Sequence, residues 1–87
     1  MPPQRRVKPR SAELAALGEA VEQMRRKAGL SQEDLADAAG LHITHLGGIE
    51  RGTRNPSYTT LLKLTTALNI RIGALTALAD CAYDRAR

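Results

Sequence analysis

The sequence predicts an all-α protein, a compact domain of five short helices, and three observations support this fold class. The 87 residues suit one small domain with a modest core. Only 2% of them are aromatic although 43% are hydrophobic, so the core must consist of Leu, Ile, Val, Met and Ala, which favours helices over sheets. Apolar residues also recur at spacings of three and four between helix start and stop signals. We expect the folded domain over residues 11–82, between an N-terminal arm at 1–10 and a tail at 83–87.

The first two predicted helices have clear start and stop signals. Ser11 is a good N-cap for helix one, which we expect to end at Gly29. The apolar positions of helix one are Leu14, Leu17, Val21, Met24 and Ala28. In LSQEDL, Ser31 caps helix two and Asp34 stands where a capping box places its acid. Helix two then stops at Gly40, after small residues that allow another helix to approach closely.

Three more helices complete the predicted domain. The third runs from His42 to Arg51, and RGTRNPS follows it as a loop because of its Gly, Asn and Pro. Its buried side is expected to hold Leu41, Leu46 and Ile49. Ser57 caps a fourth helix that ends at Asn69, and a fifth helix of about ten residues starts at Ile72.

Charge is distributed unevenly along the chain. The net charge of +4 resides in residues 1–10, which hold four cations and no acid, whereas residues 11–87 hold nine of each. Residues 28–50 contain acids without cations, and residues 51–71 contain cations without acids. This sorting either forms a basic edge suited to phosphate or is an ordinary solvated surface. The proline-rich arm should be disordered; it is inert, a purification remnant, or a basic tail that reaches phosphates or a minor groove.

Several functional classes find no support in the sequence. Cys81 is the single cysteine, which excludes an internal disulfide and a multi-cysteine zinc site. No apolar run reaches the length of a membrane span and no signal-peptide pattern occurs, so we expect a cytoplasmic protein without a membrane partner. His42 and His45 share a helix face but lack a third metal ligand nearby. We therefore expect no enzyme and no metal, cofactor or small-molecule ligand.

Helix two, the tight turn at Gly40 and helix three together form a helix-turn-helix pattern over residues 31–51. The stretch GLSQEDLADAAGLHITHLGGIERGTRNPSYTTLLKLTTALNI resembles the Cro/CI-type (XRE-like) helix-turn-helix family, whose DNA-binding domain has the lambda-repressor-like fold. Within that family, GLHxTxLGGIERGxRNPS is most similar to the controller proteins of restriction–modification systems. The resemblance covers roughly residues 14–78.

The resemblance implies that helix three lies in the major groove of DNA. Thr44 and His45 would then face base edges, while Arg54 and Asn55 would reach the DNA from the loop. Gln32 would hold a phosphate at the positive end of helix two. Two simpler interpretations remain open, namely a solvated Gln32 and an Asn55 that serves only to form the turn.

Other positions of helix three differ from the relatives or admit two interpretations. Ile43 stands where controller proteins usually carry Arg, and His45 where they carry Tyr, so the operator sequence cannot be transferred to this chain. Ile43 itself offers an apolar contact, for instance to a thymine methyl group. Arg51 either contacts phosphate or is simply a cation at a helix C-terminus.

Two glycines, Gly47 and Gly48, lie inside helix three, although each costs about 1 kcal/mol relative to Ala in a helix interior. Within the family resemblance, such small residues would let the helix lie close to the DNA backbone or to a partner subunit. The alternative is that they relieve a tight contact with a neighbouring helix and have no part in DNA binding.

The resemblance also implies three structural features. Arg25 and Glu50 would form a buried ion pair between helix one and the end of helix three. His42 replaces the usual Ser or Thr cap, so helix three should lack its cap oxygen. The fifth helix would supply a dimer interface, unless its apolar stripe only closes the core of one chain; this stripe consists of Ile72, Leu75, Leu78 and Ala79.

The implied function is a sequence-specific transcriptional regulator of double-stranded DNA that acts as a homodimer on a pseudo-palindromic operator. It would work in a bacterial or phage setting, in association with the nucleoid. A controller protein would activate its own gene and an endonuclease gene at one dose and repress at a higher one. The alternatives are an antitoxin or a phage-type repressor of the same fold, or a protein-interaction adaptor that has lost DNA specificity.

Overall fold

The structure is a computed structural model that describes residues 8–86, so most of the arm predicted over residues 1–10 lies outside the described residues, as does Arg87. The described chain forms five helices and no strand, which confirms the predicted all-α class. The helices are α1 (Ala12–Lys27), α2 (Gln32–Ala39), α3 (Ile43–Arg51), α4 (Tyr58–Leu68) and α5 (Ile72–Ala86).

Local capping explains why the helices begin and end where they do. The hydroxyl oxygens of Ser11, Ser31 and Ser57 accept backbone N–H groups at the starts of α1, α2 and α4, as predicted. The Asp34 carboxylate accepts the backbone N–H of Ser31 at 3.1 Å and completes the capping box. The Ser31 backbone N–H and then its hydroxyl lower the pKa of Asp34, because both favour the charged carboxylate. Asn69 ends α4 in the left-handed conformation, with φ of 57°.

The structure adds a cap at the start of α3 that was not predicted, and it shows that α5 ends later than predicted. α3 has no cap oxygen, as expected, but Nδ1 of His42 accepts the backbone N–H of Thr44 at 3.1 Å in its place. The predicted length of α5 is wrong, since the helix has 15 residues and includes residues 83–86, which were expected to be a tail. In this extra turn, Nη2 of Arg85 donates to Oε2 of Glu19 at 2.7 Å and joins α5 to α1.

The core is built from apolar side chains of all five helices. The largest fully buried side chains are Val21, Leu35, Leu46, Ile49, Leu64 and Leu75, and each contributes about 1.5–3 kcal/mol by its burial. Leu75 is 0% exposed and leaves no surface for a partner, so the dimer contact predicted for this residue is wrong. The other members of the predicted stripe are only partly buried, namely Ile72, Leu78 and Ala79.

Two glycines whose packing role the sequence did not predict, Gly18 and Gly52, bring α1 against the end of α3. A Cβ at Gly18 would collide with the backbone carbonyl oxygens of Ile49 and Glu50. A Cβ at Gly52, where φ is +76°, would lie 2.9 Å from the backbone of Ala15. α1 therefore holds the C-terminal end of α3 through direct backbone packing, and the opposite end of α3 is left to project from the domain.

Candidate nucleic-acid interface

The first turn of α3 is exposed, whereas its second half is anchored in the core. Ile43 and Thr44 are exposed, and the following segment Leu46–Ile49 is buried. Ile43 is 42% exposed, which is high for a large aliphatic side chain. Among the described residues, Tyr58 at the start of α4 is the other large hydrophobic side chain with this property. An exposed apolar side chain beside a hydroxyl suits contact with a surface that carries both methyl and polar groups.

The loop after α3 folds back onto that helix. Gly52 ends α3 in the left-handed conformation, and the backbone N–H of Thr53 then donates to the Gly48 carbonyl at 2.9 Å. The hydroxyl of Thr53 donates to the same carbonyl oxygen at 3.1 Å. These two bonds fix the direction in which the loop leaves α3, and they place the exposed Arg54 and Asn55 beside the helix.

Three of the predicted site residues meet around one open depression of about 480 Å³. These are His45, which is half-buried, and the exposed Arg54 and Asn55. Arg10 and Thr53 complete the lining, so the depression has no carboxylate in its wall. Thr53 was not among the predicted site residues, and Arg10 was predicted only as part of the basic arm, for which a phosphate contact was one of three interpretations; the further signal for Arg10 was its position directly before Ser11, the cap of α1.

Gly48 provides the space in which Arg54 lies. A Cβ at Gly48 would be 2.6 Å from Cγ of Arg54, and the three nearest heavy atoms all belong to that side chain. Gly48 is buried beneath Arg54, so the contact with DNA predicted for it has no open surface in this arrangement. At Gly47 the nearest atom is Nη1 of Arg51, at 3.0 Å from the Cβ position. The tight contact between helices that the alternative interpretation required lies at Gly18 instead.

The predicted ion pair between α1 and α3 is present and nearly buried. Nε of Arg25 donates to Oε2 of Glu50 at 2.7 Å, and Nη2 donates to Oε1 at 3.1 Å. The two side chains are 10% and 4% exposed, and the third guanidinium nitrogen donates to the carbonyl of Leu30 at 2.8 Å. The hydrogen bonds to Glu50 raise the pKa of Arg25, whereas burial acts in the opposite direction.

Gln32 joins this ion pair rather than pointing freely to solvent. Its Nε2 donates to Oε1 of Glu50 at 2.9 Å, which links the start of α2 to the end of α3. Gln32 is half-buried, so the interpretation as a solvated residue does not apply. Arg51 is exposed at the last turn of α3 and does not line the depression described above.

Residues 8–86 contain neither a cluster of possible metal ligands nor a single helix suited to cross a membrane. In that range no group of three or more His, Cys, Asp or Glu side chains could hold a metal ion. No single helix there is long and apolar enough to cross a membrane. α4 and α5 together have the necessary length and apolar composition, but the two helices are bent by 104° relative to each other.

Comparison with known proteins gives the family. The Helix-turn-helix family model matches residues 21–75. Control protein C.SmaI from Serratia marcescens is 44% identical over 59 residues, which cover 68% of this chain and 70% of that protein.

Solved structures give the same result. The restriction-modification controller protein C.AhdI from Aeromonas hydrophila aligns with a TM-score of 0.74 and 45% identity, over 75% of this chain and 98% of that one. The controller protein C.Esp1396I, solved as a tetramer in complex with its natural 35 base-pair operator, aligns with a TM-score of 0.77 and 26% identity, over 84% of this chain and 96% of that one. The chain belongs to the XRE-type helix-turn-helix family of transcription regulators.

Proposed function

We propose that this protein is a sequence-specific regulator that binds double-stranded DNA as a homodimer on a pseudo-palindromic operator, in the manner of a restriction–modification controller protein. The observation that carries the proposal is the joint exposure of the α3 start and of the Arg54–Asn55 loop, which lines a depression without a carboxylate in its wall. An α-helix fits the major groove, and a helix-turn-helix presents the N-terminal residues of its second helix to base edges. The site of action is then the bacterial nucleoid in the cytoplasm.

The exposed groups suit distinct parts of the duplex. Thr44 bonds a base edge or touches a thymine methyl, and Ile43 makes an apolar contact with such a methyl. His45 and Asn55 both donate and accept, which suits base edges, with adenine as the preferred base for Asn55. Arg54 suits guanine or a phosphate because its guanidinium is planar and charged.

The remaining predicted residues serve affinity and position rather than base selection. Arg51 contacts a phosphate from the exposed last turn of α3. The side-chain amide of Gln32 is bonded to Glu50, so we assign its phosphate contact to the second amide hydrogen or to the N–H groups at the start of α2. Gly48 acts through Arg54, which it allows to lie across α3.

Dimer formation suits a small DNA-binding domain, because two protomers can contact the two half-sites of an operator. The described protomer measures 37 × 30 × 23 Å, so one protomer matches one half-site, since half-sites repeat about every 34 Å along the duplex. We place the interface on α5, where partly buried apolar side chains are available at Ile72, Leu78 and Ala79. Leu75 supports this face from within the core. Occupancy of the operator, and with it activation or repression, then depends on the concentration of the protein.

Fluorescence anisotropy on DNA from directly upstream of the gene tests the proposal. A duplex of the same composition in shuffled order serves as the control, and both are titrated at several salt concentrations. A specific regulator should bind the native duplex at least about 10³-fold more tightly than the shuffled one. Equally weak binding to both duplexes, lost as salt rises, would contradict specific recognition of this promoter and leave a surface that merely attracts phosphates.

A further inference from the structure

The depression beside α3 includes a residue from outside the helix-turn-helix. Arg10 precedes α1, yet it lines the same wall as His45, Arg54 and Asn55. It belongs to the segment predicted to be a disordered arm, but the structure shows defined contacts for Pro9 and Arg10.

The backbone of Arg10 is attached to the end of α3. Its N–H donates to the carbonyl oxygen of Gly52 at 2.8 Å. Pro9 packs on the same glycine, with its Cβ 3.0 Å from the position that a Gly52 Cβ would take. On the other side, Ser11 caps α1 through its hydroxyl at 3.0 Å from the N–H of Leu14. Arg10 is therefore held between two helices, and its position is fixed relative to α3.

The charges around the depression favour the binding of an anion. Arg10 and Arg54 are both exposed and line the same surface. The salt bridges found among the described residues involve Arg25, Arg26 and Arg85, so neither arginine of the depression has a carboxylate partner there. Like charges on one concave surface repel each other and raise the local potential, which an anion between them would neutralise. Thr53 and Asn55 supply further polar groups beside it.

We propose that Arg10 and Arg54 together bind one phosphate of the DNA backbone and so set the position of α3 in the groove. This proposal rests on the DNA-binding function proposed above and adds a contact from the N-terminal side of α1. A phosphate contact positions the protein without selecting a base sequence. Since Arg10 is bonded to the end of α3, the phosphate it holds fixes the distance of that helix from the backbone.

The test measures DNA affinity as a function of salt for the full chain and its variants. Arg10→Ala should weaken binding to the native and shuffled duplexes by the same factor, because a phosphate contact carries no sequence information. The variant that lacks both arginines should have a slope of log K against log salt that is shallower by about 0.9 for each bound protomer, which corresponds to one phosphate contact, and Arg10→Ala alone should produce part of this change because Arg54 still contacts the phosphate. Arg10→Lys should keep the slope, since it keeps the charge.

A charge-matched control and a double variant sharpen the test. Arg71 is exposed and follows α4, which starts just after the loop and extends about 16 Å away from it. Arg71→Ala removes the same charge and should leave the slope unchanged. If Arg10 and Arg54 share one phosphate, the variant that lacks both arginines should lose less affinity than the product of the two single losses.

Three results would overturn the proposal. The first is an unchanged slope in Arg10→Ala, and the second is an equal loss in Arg71→Ala, which would indicate a general effect of net charge. The third is multiplicative losses for Arg10 and Arg54, which would place them on separate phosphates. The wild-type specificity ratio between the two duplexes reports separately on the proposed function, so the two proposals can fail independently.

Discussion

A methyl group at Gly48 should impair DNA binding without impairing folding. The Cβ of Gly48→Ala would lie 2.6 Å from Cγ of Arg54, and its three nearest heavy atoms all belong to that flexible, exposed side chain. Arg54 can therefore swing away into solvent, and the helix backbone need not move. The replacement also removes the penalty of Gly in a helix interior, which is about 1 kcal/mol. The free energy of unfolding should accordingly stay the same or rise by up to about 1 kcal/mol.

The effect on DNA affinity should be larger and of opposite sign. Displacement of Arg54 removes one positioned, charge-assisted contact to a phosphate, and a hydrogen bond to a charged group is worth about 1.5–3 kcal/mol. The dissociation constant for the operator should therefore rise about 10- to 150-fold. In an Arg54→Ala background the same change at Gly48 should have no further effect, because the group that it displaces is already absent.

Gly18→Ala is the matched control, since it adds the same methyl group to another helix glycine. Its Cβ would collide with the carbonyl oxygens of Ile49 and Glu50, which belong to the backbone of α3 and cannot turn aside. Overpacking of this kind costs about 1–3 kcal/mol. This cost is usually larger than the stabilisation that Ala gives over Gly in a helix interior. For a domain of this size each 1 kcal/mol lowers Tm by about 4–8 °C.

Thermal unfolding followed by circular dichroism, combined with anisotropy at a temperature where all variants are folded, separates the two effects. We expect Gly18→Ala to lower Tm, and Gly48→Ala to keep Tm but lose affinity. Two results would refute the reasoning. A fall in Tm for Gly48→Ala as large as that for Gly18→Ala would mean that Gly48 relieves a packing constraint, and unchanged affinity would mean that the position of Arg54 is irrelevant to binding.

Three further predictions concern stability. Glu50→Ala leaves the nearly buried Arg25 without its main partner and should cost about 3–5 kcal/mol in urea unfolding; a loss below about 1 kcal/mol would contradict the buried pair. His42→Ala should cost about 0.5–2 kcal/mol and His42→Ser almost nothing, because only the serine restores an acceptor for the start of α3; equal losses would exclude the imidazole cap. The contribution of the Asp34 carboxylate is complete above its ordinary pKa of 3.8 and is lost as pH falls through its lowered folded-state pKa. The Tm of wild type should therefore fall more steeply below about pH 4 than that of Asp34→Asn, and parallel curves would rule out this role.

The features that the sequence predicted correctly are those governed by neighbouring residues. Ser11, Ser31 and Ser57 cap helices because a cap needs only the next three residues, and Gly40 ends α2 for a similarly local reason. The pairing of Arg25 with Glu50 spans 25 residues and was available only from the family resemblance. Local chemistry alone would not have found it.

The features that the sequence analysis missed depend on contacts between distant segments. Gly18 lies in a run of ordinary helix formers, and nothing in its neighbours indicates that α3 crosses there. Leu75 fits an exposed apolar stripe as well as a core position, and only the packing of α5 against the other helices decides between them. In the sequence Arg10 is one more cation of a basic arm, whereas in the structure its N–H donates to the carbonyl of Gly52.

The central claim is that the exposed start of α3 and the loop after it form the surface that contacts DNA. Backbone amide chemical shifts, measured by NMR during titration with a duplex from upstream of the gene, test this claim most directly. The account predicts that the largest shifts occur at Ile43, Thr44, Arg54 and Asn55, with a further shift at Arg10, and that a shuffled duplex produces smaller ones. Shifts confined to α5, or equal shifts with both duplexes over the whole surface, would contradict it.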